Sequence, residues 1–185
     1  MKQLHLTQGS PEWLVARLWR LTASNMSNVI TSTGKLSKSE AAMKHIDKMI
    51  AGLALKTAYE ADPESFDEEA LQGSIAHYTG DTFSGNIHTR RGNDMEQDAI
   101  DALEVHIDEG INRIGMCIMG DDENGVVSCS PDGVIYDSLY KIVTGAEVKC
   151  PTLATWYRYV SDGVLPAQYR LQVHATIAVC EVPSW

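Results

Sequence analysis

The chain lacks any apolar run long enough to cross a bilayer, and its opening residues, Met1-Lys2-Gln3-Leu4-His5, carry no signal-peptide core. The expectation is a cytoplasmic protein with no membrane partner. Cysteine is sparse and scattered. Cys117, Cys129, Cys150 and Cys180 form no CxxC pair and have no accompanying histidine spacing, so they read as free thiols, and neither a zinc nor an iron–sulfur site is expected. Basic charge is scarce as well: 15 Lys and Arg stand against 25 Asp and Glu, a net charge of −10. That balance argues against a generic nucleic-acid binder, whose footprint is a strongly basic surface. It leaves room for a protein that handles phosphates through bound cations, because a carboxylate cluster that holds them is itself acidic. Any path for a polyanion must be built from few basic residues, such as Arg17, Arg20, Arg90, Arg91, Lys149, Arg158 and Arg170. Repeats, low-complexity tracts and long linkers are absent too, and 185 residues suit a single domain, 1–185.

What is present is a sequence of helix and strand signals. Ser10-Pro11 starts a short helix over 10–19, with a hydroxyl cap and proline in the first turn. Thr22-Ala23-Ser24 offers two hydroxyls to cap a second short helix to about Ile30. Ser37-Lys38-Ser39-Glu40 reads as a capping box, followed by Met43, Ile46, Ile50 and Leu53 at helical spacing. Residues 59–91 read as an irregular, acidic excursion with at most one short helical piece. Asn93 or Asp94 then caps a helix with the stripe Ile100, Leu103 and Ile107, and Glu96 continues that stripe into the first turn. Strand-like runs cover about 112–119, 125–136 and 140–149, separated by turn residues. One helix follows Pro151 and ends near Gly163, and another runs from Pro166 to about Val179. This order implies an α/β fold with a mixed central sheet flanked by helices.

Chemistry concentrates in two segments, Ser130-Pro131-Asp132-Gly133 and Glu147-Val148-Lys149. On a strand, residues i and i+2 share a face, so Glu147 and Lys149 point the same way. Asp132 sits at a Pro-Asp-Gly turn that can expose its carboxylate. Alone, such a tripeptide is a turn and nothing more. Two carboxylates and an ammonium converging at one sheet edge, with Glu96 from a helix, form a hard oxygen set suited to Mg²⁺. Such an ion polarises a phosphodiester and acidifies water, and Lys149 can orient that water. His45, His77, His88 and His106 read as surface residues, and Trp13, Trp19 and Trp156 as packing residues.

These segments resemble the phage lambda exonuclease, or YqaJ-like viral recombinase, family within the PD-(D/E)xK nuclease superfamily. The resemblance is carried in order by Glu12-Trp13, Arg17 and Thr22-Ala23-Ser24, then Gly92-Asn93 with Glu96, then the two signature segments through Cys150-Pro151, then Tyr169 with Gln172-Val173. It implies a PD-(D/E)xK, restriction-endonuclease-like core and a metal-dependent 5′→3′ exonuclease that degrades one strand of double-stranded DNA. Asp132, Glu147 and Glu96 would be ligands of Mg²⁺, with Mn²⁺ able to substitute, and Lys149 and Gln172 would position the attacking water. Arg17, Ser24 and Ser130 would receive the terminal 5′-phosphate, for which a guanidinium fork and two hydroxyls are chemically apt. His174 stands where the family often has a second glutamine and reads as a structural variant. The resemblance also implies homologous recombination with a single-strand annealing protein as partner, and a homo-oligomer in the form of a trimeric ring. Family members continue with a further strand and helix beyond the point where this sequence stops, Pro183-Ser184-Trp185.

Two other readings stay open at this stage. A restriction- or repair-type endonuclease on the same core would need no 5′-phosphate pocket, so Arg17 and Ser24 discriminate. A DNA-binding module with a degenerate site would be expected to have lost one of Asp132, Glu147 or Lys149.

Overall fold

Hydroxyl caps start the helices, though not always the hydroxyls the sequence suggests. The computed structural model describes residues 1–79 and 87–185. After a short strand β1 (Lys2–Leu4), Ser10 accepts the Trp13 N–H at 3.3 Å and Pro11 opens α1 (Pro11–Leu18). β2 (Leu21–Thr22) leads through a 3₁₀ turn (Ala23–Asn25) into α2 (Met26–Val29). Neither Thr22 nor Ser24 caps that helix through its side chain. The cap of α3 (Glu40–Ala61) is Ser39, which accepts from Ala42 N at 3.2 Å, two residues beyond the expected Ser37.

The stripe expected on α3 faces the wrong way. Met43, Ile50 and Leu53 are exposed, whereas Ala42, Gly52 and Leu55 are buried. The reason is a close crossing: small Gly52 lies against the backbone of Leu18, where a Cβ would come within 2.6 Å. Contact with α1 decides which face turns inward, and apolar spacing alone cannot reveal it.

The stretch read as an irregular excursion is mostly helical in its described part. α3 runs on to Ala61, a 3₁₀ turn spans Pro63–Ser65, and α4 (Glu68–Thr79) follows. Leu71 and Ile75 of α4 join Val15 and Leu55 in a small core of their own. α5 (Ile87–Ile107) starts before the expected cap at Asn93 or Asp94, so Glu96 lies inside the helix and not in its first turn. The expected inward face holds, with Ile100 2% exposed. The side chains of His88, Arg90, Arg91 and Asn93 lie outside the described residues.

The expected run 125–136 divides into β4 (Val127–Cys129) and β5 (Gly133–Tyr136). β3 (Met116–Ile118) and β6 (Ile142–Ala146) are shorter than the runs 112–119 and 140–149. The main sheet has the order β1-β3-β4-β2 and is mixed: β1–β3 and β3–β4 are antiparallel, β2–β4 parallel. β5 and β6 form an antiparallel hairpin, tied to the chain before β3 by the Asn112–Val134 bridge. α6 (Leu153–Asp162) ends at Gly163 in the left-handed conformation, and α7 (Ala167–Cys180) follows Pro166. α7 packs its Ala175, Val179 and Cys180 onto Cys117, Cys129, Val134 and Ile142, forming the principal core. α6 buries none of its residues, and Trp156 is half exposed on it, not packed inside as expected. His45 is half-buried on α3 and not a surface residue, whereas His77, His106 and His174 are exposed. Among the described residues no helix is long and apolar enough to cross a membrane.

The Gly52 crossing yields a test. Helix propensity alone would make Gly52→Ala stabilising by about 1 kcal/mol. The clash with rigid Leu18 backbone at 2.6 Å costs about 1–3 kcal/mol, so the net change is a loss. Urea unfolding should show a lower midpoint for the variant; a higher one would mean that the α1–α3 crossing opens freely.

Candidate active site

Ser130-Pro131-Asp132 links β4 to β5 outside the ladder. Pro131 has no N–H to donate, so the run cannot continue as one paired strand. Gln8, which the sequence reading missed, pins this link: its Nε2 donates to Pro131 O at 2.9 Å and Ile114 O at 3.0 Å. The Asp132 carboxylate is thereby turned toward the end of β6, where Oδ2 accepts the Val148 N–H at 2.6 Å. Glu147-Val148-Lys149 has left the strand, which ends at Ala146, contrary to the expectation that β6 would carry it. Glu147 and Lys149 nonetheless share a side, because Lys149 Nζ donates to Glu147 Oε1. Gln172 Nε2, from α7, donates to the same oxygen. Tyr169, one turn earlier on α7, puts its ring 5.5 Å from Lys149 Nζ.

Glu96 approaches from α5, and its carboxylate is paired with Arg113, which also donates to Gln97 at 3.1 Å. Arg113 went unnoticed in the sequence because a lone arginine ahead of a strand carries no local signal. Arg17 and Ser24 enter from the N-terminal segment. Arg17 stacks 4.4 Å over the Trp13 ring and donates to Ser24 Oγ at 3.4 Å, and Ser24 Oγ lies 3.0 Å from Thr22 Oγ1. The Ser24 hydroxyl thus serves the guanidinium and not the helix end. Ser130 Oγ is buried with no hydrogen-bond partner among the described residues.

One cavity of about 240 Å³ is lined by Asp132, Glu147, Lys149, Glu96 and Gln172, and also by Arg17, Ser24 and Ser130. All eight residues singled out in the sequence meet there. Four other cavities are larger, about 260 to 430 Å³, and one of them, about 260 Å³, is lined by Glu12, Glu60 and Glu123. Neither size nor carboxylates alone select the site; the meeting of Asp132, Glu147 and Glu96 with Lys149, Gln172 and Arg17 does. Arg20, counted above as a possible contact for a polyanion, does not take part. It is 4% exposed, its guanidinium donating to the carbonyls of Gly125, Ala16 and Glu123.

The cavity is short of positive charge. Burial, then the charge of Glu147 and that of Glu96, push the Asp132 carboxyl up to about 7, against relief from the Val148 N–H and Lys149. Burial lowers the Arg17 pKa, while Glu147 and Asp132 pull it back up. A partly buried Asp132 carboxyl that resists ionisation beside two further carboxylates is one that a divalent cation would relieve, so the donors fit Mg²⁺.

A family model for the YqaJ-like viral recombinase domain matches residues 12–183. The chain belongs to the YqaJ-like viral recombinase family. No match was found among curated proteins. Among solved structures the chain is similar to LHK-Exo in complex with dAMP, with a TM-score of 0.59 and 22% identity over 93% of this chain and 69% of that one. It is likewise similar to the alkaline exonuclease LHK-Exo from Laribacter hongkongensis, with a TM-score of 0.57 and 21% identity over 92% and 68% of the two chains. At that identity the likeness establishes the fold, a PD-(D/E)xK core, as the sequence implied. The expectation of a nuclease of the lambda exonuclease family stands at the level of the family.

The Asp132 environment makes stability depend on pH. Its folded pKa lies above the ordinary 3.8, so the carboxyl contributes most below about 4 and that contribution is lost as pH rises through about 7. In EDTA, the thermal midpoint should fall between pH 5 and pH 8, conditions chosen to span about that range. Asp132→Asn should flatten the fall, and Mg²⁺ should restore the wild-type midpoint at the higher pH. An identical slope in the variant would remove Asp132 as its source.

Proposed function

We propose that this YqaJ-like protein is a Mg²⁺-dependent exonuclease that degrades one strand of duplex DNA in the 5′→3′ direction from a 5′-phosphorylated end. The observation that carries this reading is a cavity in which a carboxylate set adjoins Arg17, Ser24 and the Ser130 hydroxyl, which has no hydrogen-bond partner among the described residues. Carboxylates alone would serve any metal-dependent phosphodiesterase. The added guanidinium and hydroxyls are what an enzyme needs to hold a terminal phosphate after each cut.

In this reading Asp132 and Glu147 hold the cation, with Glu96 as a third carboxylate. When bound, a divalent cation acidifies water and withdraws charge from a scissile phosphate. Lys149 and Gln172 share Glu147 Oε1 as acceptor, so both fix the orientation of that carboxylate. Their remaining N–H groups are available to the attacking water, and the Lys149 ammonium offsets charge that builds on the phosphate. Arg17, preorganised by Trp13 and Ser24, meets the terminal phosphate with its fork, and Ser24 and Ser130 donate hydroxyl protons to it. Arg158 and Arg170 remain exposed on α6 and α7 for contacts along the backbone. Mn²⁺ can replace Mg²⁺ in such an oxygen set. The single strand produced would be the substrate of a single-strand annealing protein in recombination, and the ring assembly implied by the family resemblance is part of the same proposal.

Linear duplexes with 5′-phosphate or 5′-hydroxyl ends, incubated with Mg²⁺ or EDTA, test the reading. Metal-dependent loss of one strand, faster from phosphorylated ends, is expected. Cutting of closed circles at a comparable rate would favour an endonuclease instead, and absence of any cleavage by folded protein would overturn the enzymatic reading. Lys149→Ala should slow cleavage about a hundredfold to a thousandfold while Mg²⁺ binding persists. Arg17→Ala should mainly erase the preference for phosphorylated ends, read as equal rates on the two substrates.

A further inference from the structure

Three of the four scattered cysteines meet in the principal core. Cys117 is the middle residue of β3, Cys129 lies directly across from it at the end of β4, and Cys180 closes α7. Their sulfurs all lie within 4.8 Å of one another, with Cys129 Sγ and Cys180 Sγ 3.6 Å apart. All three residues are buried and none is in a disulfide. Cys150 stands outside this group. The absence of any CxxC spacing hid the cluster, because each thiol arrives on a different element.

A lone buried thiol is a small hydrophobe. Three in mutual contact are a donor set. Sulfurs bound to one cation at about 2.3 Å lie about 4 Å apart when the arrangement is trigonal; here one pair is 3.6 Å apart and no pair exceeds 4.8 Å. Ile114, Val134, Val179 and Val182 share the core cluster with them, and Tyr136 packs against it with its hydroxyl donated to Gln3. Among the described residues no carboxylate or imidazole joins the group. Such an environment selects against Mg²⁺ and Ca²⁺, and it leaves Zn²⁺ without the fourth ligand it normally takes. Within the cluster, donation from Cys117 and then Cys129 holds the Cys180 thiol below its ordinary ionisation range, whereas Cys117 and Cys129 are held above theirs, so one sulfur of the three is disposed toward the thiolate.

We propose that Cys117, Cys129 and Cys180 form a buried, three-coordinate thiolate site for a soft monovalent cation, with Cu(I) the ion of matching softness and coordination number. Uptake forms one Cu–S bond per sulfur and releases one proton for each thiolate created; no electron is transferred. The cation offsets one of the three thiolate charges, and the Met1 ammonium acts on Cys117 and Cys180 as a further positive charge. A loaded site would tie β3, β4 and the end of α7 together, and so brace the helix that carries Gln172.

The test uses the full chain, reduced and kept anaerobic, titrated with Cu(I) against the chelator bicinchoninate. Withdrawal of one Cu(I) per chain is expected, with a near-ultraviolet sulfur-to-copper band and a raised thermal midpoint. Cys180→Ser and Cys117→Ala should each weaken binding by more than the roughly tenfold to hundredfold that loss of a supporting, non-ligating group costs. Cys150→Ser should bind as the parent does. If a core variant fails to fold, copper X-ray absorption on the parent protein decides, since only a shell of three sulfurs agrees with the site. No withdrawal of copper, a shell with oxygen or nitrogen, or loss of binding in Cys150→Ser would each overturn the proposal. Zn²⁺ bound as tightly as Cu(I) would also overturn it, because that requires a fourth donor.

Discussion

The hydrogen bond from Val148 N–H to Asp132 Oδ2 joins two segments at the point where each has left its sheet. The chain departs from the ladder at Pro131 because proline cannot donate, and β6 ends at Ala146. Without a shared partner, both ends would carry unpaired polar groups near the interior. The Asp132 carboxylate supplies that partner and in doing so is held at a fixed angle toward Glu147. Gln8 holds the other side of the same link through two carbonyls. The geometry of the cavity follows from these few bonds, since Glu147 then presents one oxygen to both Lys149 and Gln172.

That arrangement has an electrostatic consequence. Crowding Asp132 with Glu147 and Glu96, partly out of water, produces a site that is short of positive charge. Among the lining residues Lys149 and Arg17 are two cations against three carboxylates, and Arg113 reaches Glu96 from outside the lining. The deficit gives a physical reason for the acidic chain to handle a polyanion: a cation bound among the carboxylates would reverse the local field, whatever the net charge of −10. Arg20, which looks available in the sequence, is consumed by backbone carbonyls and adds nothing to that field at the surface.

Much of the architecture was legible because local rules govern it. Ser10-Pro11, the stripe through Ile100, and Pro166 announce α1, the inner face of α5 and α7 with little dependence on their surroundings. The failures have a common cause in packing. The inward face of α3 was misjudged because Gly52 admits Leu18 closely, a fact about a neighbour and not about spacing. The region after residue 59 looked irregular because its helices are acidic outside, and Leu71 and Ile75 become core only once α3 and α1 lie against them. Trp156, expected to pack, is instead half exposed because α6 buries none of its residues.

The sequence by itself singled out the candidate residues, three carboxylates, a lysine, a glutamine, an arginine and two serines, and it determined the fold class that orders them. Those are matters of residue type and order along the chain, and family resemblance reads both. Tertiary structure alone decided that the eight residues share one cavity and that Asp132 is clamped to Val148. It alone paired Glu96 with Arg113, and it alone brought three unrelated cysteines into contact. Each of these is a meeting between distant segments, set by the packing of α7 and α5 against the strands, and no local pattern records such a meeting.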